Sequence, residues 1–260
     1  ANGYHYFVME YVEGHTLYDE LIAGKVFSES EALDIAIQIT RALVHAHENG
    51  LIHRDVKPKN IMITKDGVAK LADMGLARMA ADEQTAQAEA GKAYGTPYYI
   101  SPEQIRGEVD IDFRADIYSL GATLYHMVTG RVPFDGPTPV AVMNKHLKEP
   151  LTPPDHINPS LSVGLGEVVE TMMAKRREDR YASTTDLLMD LEAIARGEPP
   201  LQVHKTLDAR MLSALTKEEP TAKPAEEVSA SKTSSNEIII YILLALLGIS
   251  IIVNILQALT

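Results

Sequence analysis

The sequence contains no cysteine, which excludes a disulfide framework and any metal site built from thiolates. Basic residues are also scarce: 24 Lys and Arg stand against 36 Asp and Glu, for a formal net charge of -12. Because such a chain repels a phosphate polyanion, nucleic acid is excluded as a partner. The 260 residues, 45% of them hydrophobic, are enough for one large domain or two smaller ones.

Charged residues are missing altogether from residues 238–259, IIIYILLALLGISIIVNILQAL. As a helix this stretch would be ~33 Å long, enough to cross the core of a bilayer. A buried core helix or a coiled coil is the alternative, but isoleucine, leucine and valine cover every face of the segment rather than one stripe. We therefore predict a single transmembrane helix at 238–259.

Residues 198–237, which precede this span, are rich in Lys, Glu, Pro, Ser, Thr and Ala and predict a largely disordered juxtamembrane linker. Lys217, Lys223 and Lys232 lie before the span and no positive residue follows it. This asymmetry predicts a single-pass protein of the cell membrane whose N-terminal side is cytoplasmic. Gly248 within the span leaves a homodimer open.

Residues 1–197 predict an α+β fold, a mainly helical body with a small β element. A strand is expected over residues 4–9, with Gly14 ending the extended segment. The runs NIMIT and VAKLAD flank Asp66-Gly67, which is typical of a β-hairpin. Helical patterns are SESEALDIAIQITRALVHAHENG, which opens with a capping box, and DIYSLGATLYHMVTG, PVAVMNKHL, SVGLGEVVETMMAKR and STTDLLMDLEAIA.

Polar residues concentrate in LIHRDVKPKNIMI, residues 51–63, between two apolar flanks. The nearby histidines His45, His47 and His53 raise metal binding as an alternative, but they lack the i, i+4 pair of a helical metal site. Four motifs occur in order: VMEYVEGHTL, HRDVKPKN, GTPYYISPEQ and DIYSLGATLYHMVTGRVPF. Together they resemble the eukaryotic-like Ser/Thr protein kinases of bacteria, over residues 4 to about 196.

The resemblance implies that residues 1–197 are the C-lobe portion of a protein kinase catalytic domain, acting in membrane-anchored signalling. Such an enzyme transfers the γ-phosphate of ATP to Ser or Thr hydroxyls of protein substrates and uses Mg²⁺. Asp55 would accept a hydrogen bond from the substrate hydroxyl, and Lys57 would offer its ammonium to the transferring phosphate. Thr96 resembles the threonine that bridges these two side chains. Asn60 and Asp73 would supply the oxygen ligands that Mg²⁺ prefers.

The same resemblance assigns the adenine contacts. Glu10 and Val12 would offer a backbone carbonyl and a backbone N–H to the base, and Met9 would border the back of the site. Met62 would form its apolar floor.

Further residues resemble the structural supports and the regulatory positions of these kinases. His53 is expected to pack beneath Met74, which stands where the family usually has Phe. Glu103 and Arg180 are expected to form a buried ion pair, and Asp116 to hold the backbone of the catalytic loop. Arg54 and Thr85 are the predicted regulatory residues. Arg54 would recruit a phosphate on the activation segment, residues 76–100, where Thr85 is either an autophosphorylation site or a solvated threonine.

No G-x-G-x-x-G loop, strand lysine or helix glutamate of a kinase N-terminal lobe has a counterpart in this sequence. We therefore expect a chain without the N-terminal lobe, which as written binds ATP poorly and transfers hardly any phosphate. The alternative to the enzyme is a non-catalytic scaffold or pseudokinase fragment that binds protein partners.

Overall fold

The computed structural model describes residues 10–73, 78–79 and 97–203, all within the compact unit formed by residues 1–213. One antiparallel sheet has the strand order β1 (Gly14–Thr16), β3 (Ile61–Thr64), β4 (Ala69–Leu71), and a second pairs β2 (Leu51–Ile52) with β5 (Arg78–Met79). The helices are α1 (Leu17–Ile22), α2 (Glu29–Glu48), α3 (Pro102–Arg106), α4 (Arg114–Thr129), α5 (Pro139–Lys148), α6 (Pro154–Ile157), α7 (Val163–Met172) and α8 (Thr184–Ala195). The mainly helical body with a small sheet is confirmed for these residues.

Helix α2 forms where the sequence predicts it because both of its ends carry local signals. The Ser28 hydroxyl accepts from the Glu31 backbone N–H at 3.3 Å, and the Glu31 carboxylate accepts from the Ser28 N–H at 3.0 Å, so the predicted capping box is confirmed. At the other end Gly50 has a φ of 71°, a left-handed conformation that glycine adopts without a steric penalty. The buried face of α2 packs against α8 and α4.

The predicted hairpin is also confirmed, since β3 and β4 pair in antiparallel register with Ile61 opposite Leu71. Ile61 and Ile63 point into the core, so the residues between them face the other side of the sheet. The expected end of the extended segment at Gly14 is wrong: β1 begins there. A Cβ at Gly14 would collide with the carbonyl oxygen of Ile63, so glycine is what lets β1 approach β3.

Helix α4 forms the centre of the body, with its residues 115–125 all buried. Its Gly121 lies against Met172 and Met173 at the end of α7, where a side chain would have no room. A helix buried on every face shows little amphipathic pattern, in agreement with the apolar and small residues that occupy all sides of α4.

The strand predicted over residues 4–9, the predicted span 238–259 and most of the predicted linker lie outside the described residues. Within the part of the chain that the structure describes, no helix combines the length and the apolar character needed to cross a membrane. Residues 201–203 are helical, and Asp190 of α8 accepts hydrogen bonds from the backbone N–H groups of Gln202 (2.9 Å) and Val203 (2.8 Å). The packed body thus continues past residue 197 to Val203.

Candidate active site

The loop between β2 and β3 is held from below by Asp116, a fully buried carboxylate in the first turn of α4. Its Oδ2 accepts a hydrogen bond from the His53 backbone N–H at 2.8 Å, and its Oδ1 accepts one from the Arg54 N–H at 2.7 Å. A carboxylate that accepts two backbone hydrogen bonds fixes the position and direction of that peptide segment. Asp116 therefore fixes the backbone at the start of this loop, residues 53–60, which is the predicted catalytic loop.

Arg54 has a left-handed backbone conformation, with a φ of 65°. This conformation is unfavourable for a residue with a Cβ and persists only where the surroundings impose it. Its N–H is bound by Asp116, and its carbonyl accepts a hydrogen bond from Nε2 of Gln104 at 2.7 Å. The peptide groups on both sides of Arg54 are thus tied to α4 and α3, and the following residue, Asp55, has a fixed direction.

Asp55 is the centre of a compact polar cluster. Lys57 Nζ donates to its Oδ2 at 2.6 Å. Asn60 Nδ2 donates to the Asp55 carbonyl at 2.9 Å and to Oδ2 at 3.0 Å. Because Asn60 uses its nitrogen in both contacts, its carboxamide oxygen is the atom that can face a cation. The structure therefore brings Asp55, Lys57 and Asn60 together.

The β3–β4 hairpin brings the backbone before Asp73 next to Asn60. The Ala72 N–H donates to the carbonyl of Asn60 at 2.7 Å, so Asp73 lies one residue beyond the backbone partner of Asn60. Its φ is 63°, and its side chain is exposed. His53 Nε2 lies 3.2 Å from the Ala72 carbonyl and its Nδ1 3.3 Å from the Asp55 N–H, so a ring with its proton on Nε2 satisfies both contacts. His53 packs inside the site and ties its two halves.

Asn60 and Asp73 carry side-chain oxygens of the kind that a hard divalent cation prefers, and the Ala72–Asn60 hydrogen bond brings their backbones close together. Both present oxygens, and Mg²⁺ is usually held by one or two protein carboxylates together with substrate phosphates rather than by a full protein cage. Among residues 10–73, 78–79 and 97–203 no group of three His, Asp or Glu side chains is placed to hold a metal by itself. A nucleotide would have to supply the remaining ligands.

The buried ion pair between α3 and the loop before α8 stabilises the region behind the site. Arg180 donates from Nη1 to Glu103 Oε1 at 2.6 Å and from Nη2 to Oε2 at 2.9 Å, and both side chains are almost fully buried. The guanidinium also donates to the carbonyls of Ala174 and Arg114 and lies over the ring of Tyr118. Every charge in this pair is satisfied, which a buried ion pair requires.

Of the residues predicted to contact adenine, Met62 lies in the sheet, whereas Glu10 and Val12 precede it. Met62 is half-buried and lies on the face of β3 opposite the core, and Val12 is half-buried ahead of β1. Glu10 is exposed, and its carboxylate pairs with Lys70 of β4. Only the backbone atoms of Glu10 and Val12 are assigned to the base, so the Lys70 pair does not interfere with that assignment.

A tyrosine–histidine pair anchors the segment that enters α3. Tyr99 Oη lies 2.8 Å from His126 Nδ1, and their rings stack. Burial raises the pKa of Tyr99, with smaller contributions from Tyr18 and Tyr98, and burial lowers the pKa of His126. Both effects favour neutral groups, so the tyrosine hydroxyl donates to the unprotonated ring nitrogen.

Several predicted residues lie outside the described residues: Met9, Met74, Thr85 and Thr96. Sequence reasoning missed three that the structure brings to the loop. Gln104 contacts the Arg54 carbonyl, and His47 contacts both Asp116 and Thr184. Two of the three clustered histidines form hydrogen bonds with Asp116: His47 through its ring and His53 through its backbone N–H.

The family model of the protein kinase domain matches residues 1–190. Serine/threonine-protein kinase PknB of Mycobacterium tuberculosis is 40% identical over 211 residues, which is 81% of this chain and 34% of that protein. PknB of Mycobacterium leprae is 42% identical over 195 residues, 75% of this chain and 31% of that protein.

A relative from a different bacterium matches to the same degree. The probable serine/threonine-protein kinase CPE1738 of Clostridium perfringens is 42% identical over 191 residues, 74% of this chain and 27% of that protein. The chain spans about a third or less of the length of these three curated relatives.

Proposed function

This chain belongs to the protein kinase family, and we propose that the protein transfers the γ-phosphate of ATP to Ser or Thr hydroxyls of protein substrates. The observation that carries the proposal is the cluster in which Asp55 Oδ2 receives both Lys57 Nζ and Asn60 Nδ2. Phosphoryl transfer depends on positioning and on neutralising charge more than on covalent help. This cluster offers a carboxylate, an ammonium and a carboxamide within one short loop.

The chain's own residues divide the work in a defined way. Lys57 and Asn60 both use Oδ2 of Asp55, so Oδ1 is the oxygen offered to the substrate hydroxyl. Asp55 orients that hydroxyl for in-line attack and accepts its proton as the new bond forms. Lys57, already beside Asp55, lies close enough to share its charge with the transferring group.

Asn60 and Asp73 would hold Mg²⁺ through their side-chain oxygens, and the bound ion would neutralise the phosphates of ATP. Substituting Asp73→Asn should raise the Mg²⁺ concentration needed for half-maximal transfer, because one charged ligand is lost. The same variant should weaken Mn²⁺ binding, measured by electron paramagnetic resonance on the chain. That measurement requires no turnover.

The test of the activity is transfer of radiolabelled phosphate by the full-length protein. Asp55→Asn keeps the shape of the side chain but removes the base, and should lower transfer by roughly 10²–10⁴-fold. Asp66→Asn, on the exposed turn between β3 and β4, is the matched control and should transfer normally. Equal labelling by Asp55→Asn and by the wild type would overturn the proposed kinase activity and favour the non-catalytic scaffold.

We further propose that residues 238–259 anchor the protein in the cell membrane with the kinase domain in the cytoplasm. The support is the lack of any charged residue in that stretch and the lysines that precede it. Because the chain has no cysteine, single substitutions report topology cleanly. In intact cells, a membrane-impermeant maleimide should label Thr260→Cys, whereas Ser234→Cys should be labelled only after lysis. The opposite pattern would reverse the orientation, and labelling of both in intact cells would remove the span.

We also propose that phosphorylation of the activation segment regulates the kinase activity. The support is that Arg54 is next to Asp55 in the sequence and that Thr85 supplies a hydroxyl in that segment. Phosphopeptide mapping of active full-length protein should find Thr85 modified, and Thr85→Val should reduce activity. An unmodified Thr85 in active protein would refute it.

A homodimer through the span is testable on the same protein by cross-linking, with Gly248→Leu as the disrupting variant.

A further inference from the structure

His47 connects three parts of the fold that meet beneath the catalytic loop. It lies near the end of α2 with its side chain almost fully buried, and its Nε2 is 2.9 Å from Asp116 Oδ2. Its Nδ1 is 2.7 Å from the hydroxyl of Thr184, the first residue of α8. The ring also packs against Phe113 at 5.7 Å between centroids. Thr184, His47 and Asp116 therefore form a continuous hydrogen-bonded line.

The directions of these hydrogen bonds follow from the groups themselves. A carboxylate only accepts, so Nε2 of His47 carries the proton that it shares with Asp116. In a neutral ring Nδ1 then accepts, and the Thr184 hydroxyl is its donor. If that donor is lost, Nδ1 has no hydrogen-bond partner in this line and the ring loses one of the two contacts that fix its orientation. Thr184 thus holds the ring in the orientation in which Nε2 meets Asp116. Thr184 and Asp116 are both buried, so no substrate reaches them and the line serves the structure of the loop.

We propose that His47, with its ring oriented by Thr184, is a positioning residue that holds Asp116 and through it the strained backbone of Arg54 and the direction of Asp55. Asp116 Oδ2 receives both His47 and the His53 N–H, whereas Oδ1 receives the Arg54 N–H. Without His47, one oxygen of a buried carboxylate loses a donor and the side chain can rotate. The left-handed Arg54, which needs that carboxylate, is then free to relax.

The consequence for catalysis rests on the proposed function. Displacement of a reacting group by about 1 Å can cost on the order of 10²-fold in rate. We therefore expect His47→Leu and Thr184→Val to lower kcat by about 10- to 100-fold with little change in KM for ATP. His47→Gln, which keeps an N–H donor, and Thr184→Ser, which keeps the hydroxyl, are the matched controls and should retain most of kcat. A packing role alone would not separate Thr184→Val from Thr184→Ser in this way.

Amide hydrogen exchange on the 260-residue chain without nucleotide tests the positioning independently of any activity. The Arg54 and His53 amides should exchange at least about 10-fold faster in Thr184→Val than in Thr184→Ser. The Phe27 amide, bound to the Met127 carbonyl at 2.9 Å elsewhere in the fold, is the internal control and should not change. Unchanged exchange at Arg54, or an equal rise at Phe27, would overturn the proposal. If Asp55→Asn transfers as much phosphate as the wild type, the proposed function falls but this exchange result still decides the role of His47.

Discussion

His146 lies in α5 with none of its surface exposed. Its Nδ1 is 2.8 Å from Tyr118 Oη, and the edge of its ring meets Phe134 at 4.9 Å between centroids. Burial, helped by the nearby positive charge of Lys175 and opposed by a hydrogen bond with the Tyr98 backbone, lowers the pKa of His146 to about 3. The native protein therefore keeps this ring neutral under conditions in which an exposed histidine is protonated.

Acid should destabilise the protein through this residue. The ordinary pKa of histidine is 6.5, so between pH 6.5 and about 3 the unfolded chain binds a proton that the native chain does not. The free energy of unfolding must then decrease as the pH falls through that window. The loss attributable to His146 is about 2 kcal/mol at pH 5, taking both pKa values into the linkage relation. Above pH 7 neither state binds the proton and the contribution vanishes.

Urea unfolding of the chain at pH 7 and pH 5 measures the effect. His146→Asn leaves an oxygen near the position of Nδ1 for the Tyr118 hydroxyl but cannot titrate, so its loss between the two pH values should be about 2 kcal/mol smaller than that of the wild type. His45→Gln, an exposed histidine on α2, should behave like the wild type. Equal losses in His146→Asn and in the wild type would refute the reasoning, as would a resonance of His146 that titrates near pH 6.5.

Three other changes should be visible in the same unfolding assay. Glu103→Gln leaves the buried guanidinium without its carboxylate and should cost about 3–5 kcal/mol; a loss below 1 kcal/mol would contradict the importance of the pair. Gly130→Ala should lower the free energy of unfolding more than Gly197→Ala. Both glycines have a left-handed φ, which costs an alanine about 1 kcal/mol. Only a Cβ at Gly130 would also meet a neighbour, Val26 Cγ2 at 2.7 Å. Equal costs would mean that Val26 moves aside freely. Ser28→Ala removes the N-cap of α2 and should cost about 1 kcal/mol, with a null result pointing to water as a substitute.

The sequence predicts well those helices and turns whose sequence signals lie within a few consecutive residues. The capping box at Ser28 and Glu31 marks the start of α2, and Asp66-Gly67 marks the β3–β4 turn, where Gly67 has a φ of 78°. Asp55, Lys57 and Asn60 are close in sequence, so their meeting in one cluster is decided largely by the loop itself. Such features depend on local backbone geometry, which the order of residue types determines.

The features that the sequence does not reveal depend on contacts between distant segments. His47 is 69 positions from Asp116 and 137 positions from Thr184, and no periodicity relates these residues. In the sequence alone, His47 belongs to a histidine-rich stretch that raises a metal site as an alternative. Its hydrogen bonds with Asp116 and Thr184 form only when α2, α4 and α8 pack together. Gly14 is similar: glycine is required there because β1 lies so close to β3, and this contact cannot be inferred from the residues next to Gly14 in the sequence.

Among the described residues, the non-glycine residues with a positive φ are Arg54 and Asp73, and both lie in the candidate active site. Each such conformation costs about 1–3 kcal/mol and persists only when the surrounding structure imposes it. The groups that impose it come from separate elements: the carboxylate of Asp116 in α4, the amide of Gln104 in α3 and the carbonyl of Asn60 before β3. A peptide of residues 51–73 alone would lack the first two and would relax. The loop therefore reaches its observed geometry only after α3, α4 and the hairpin have docked, which couples formation of the candidate site to folding of the whole body.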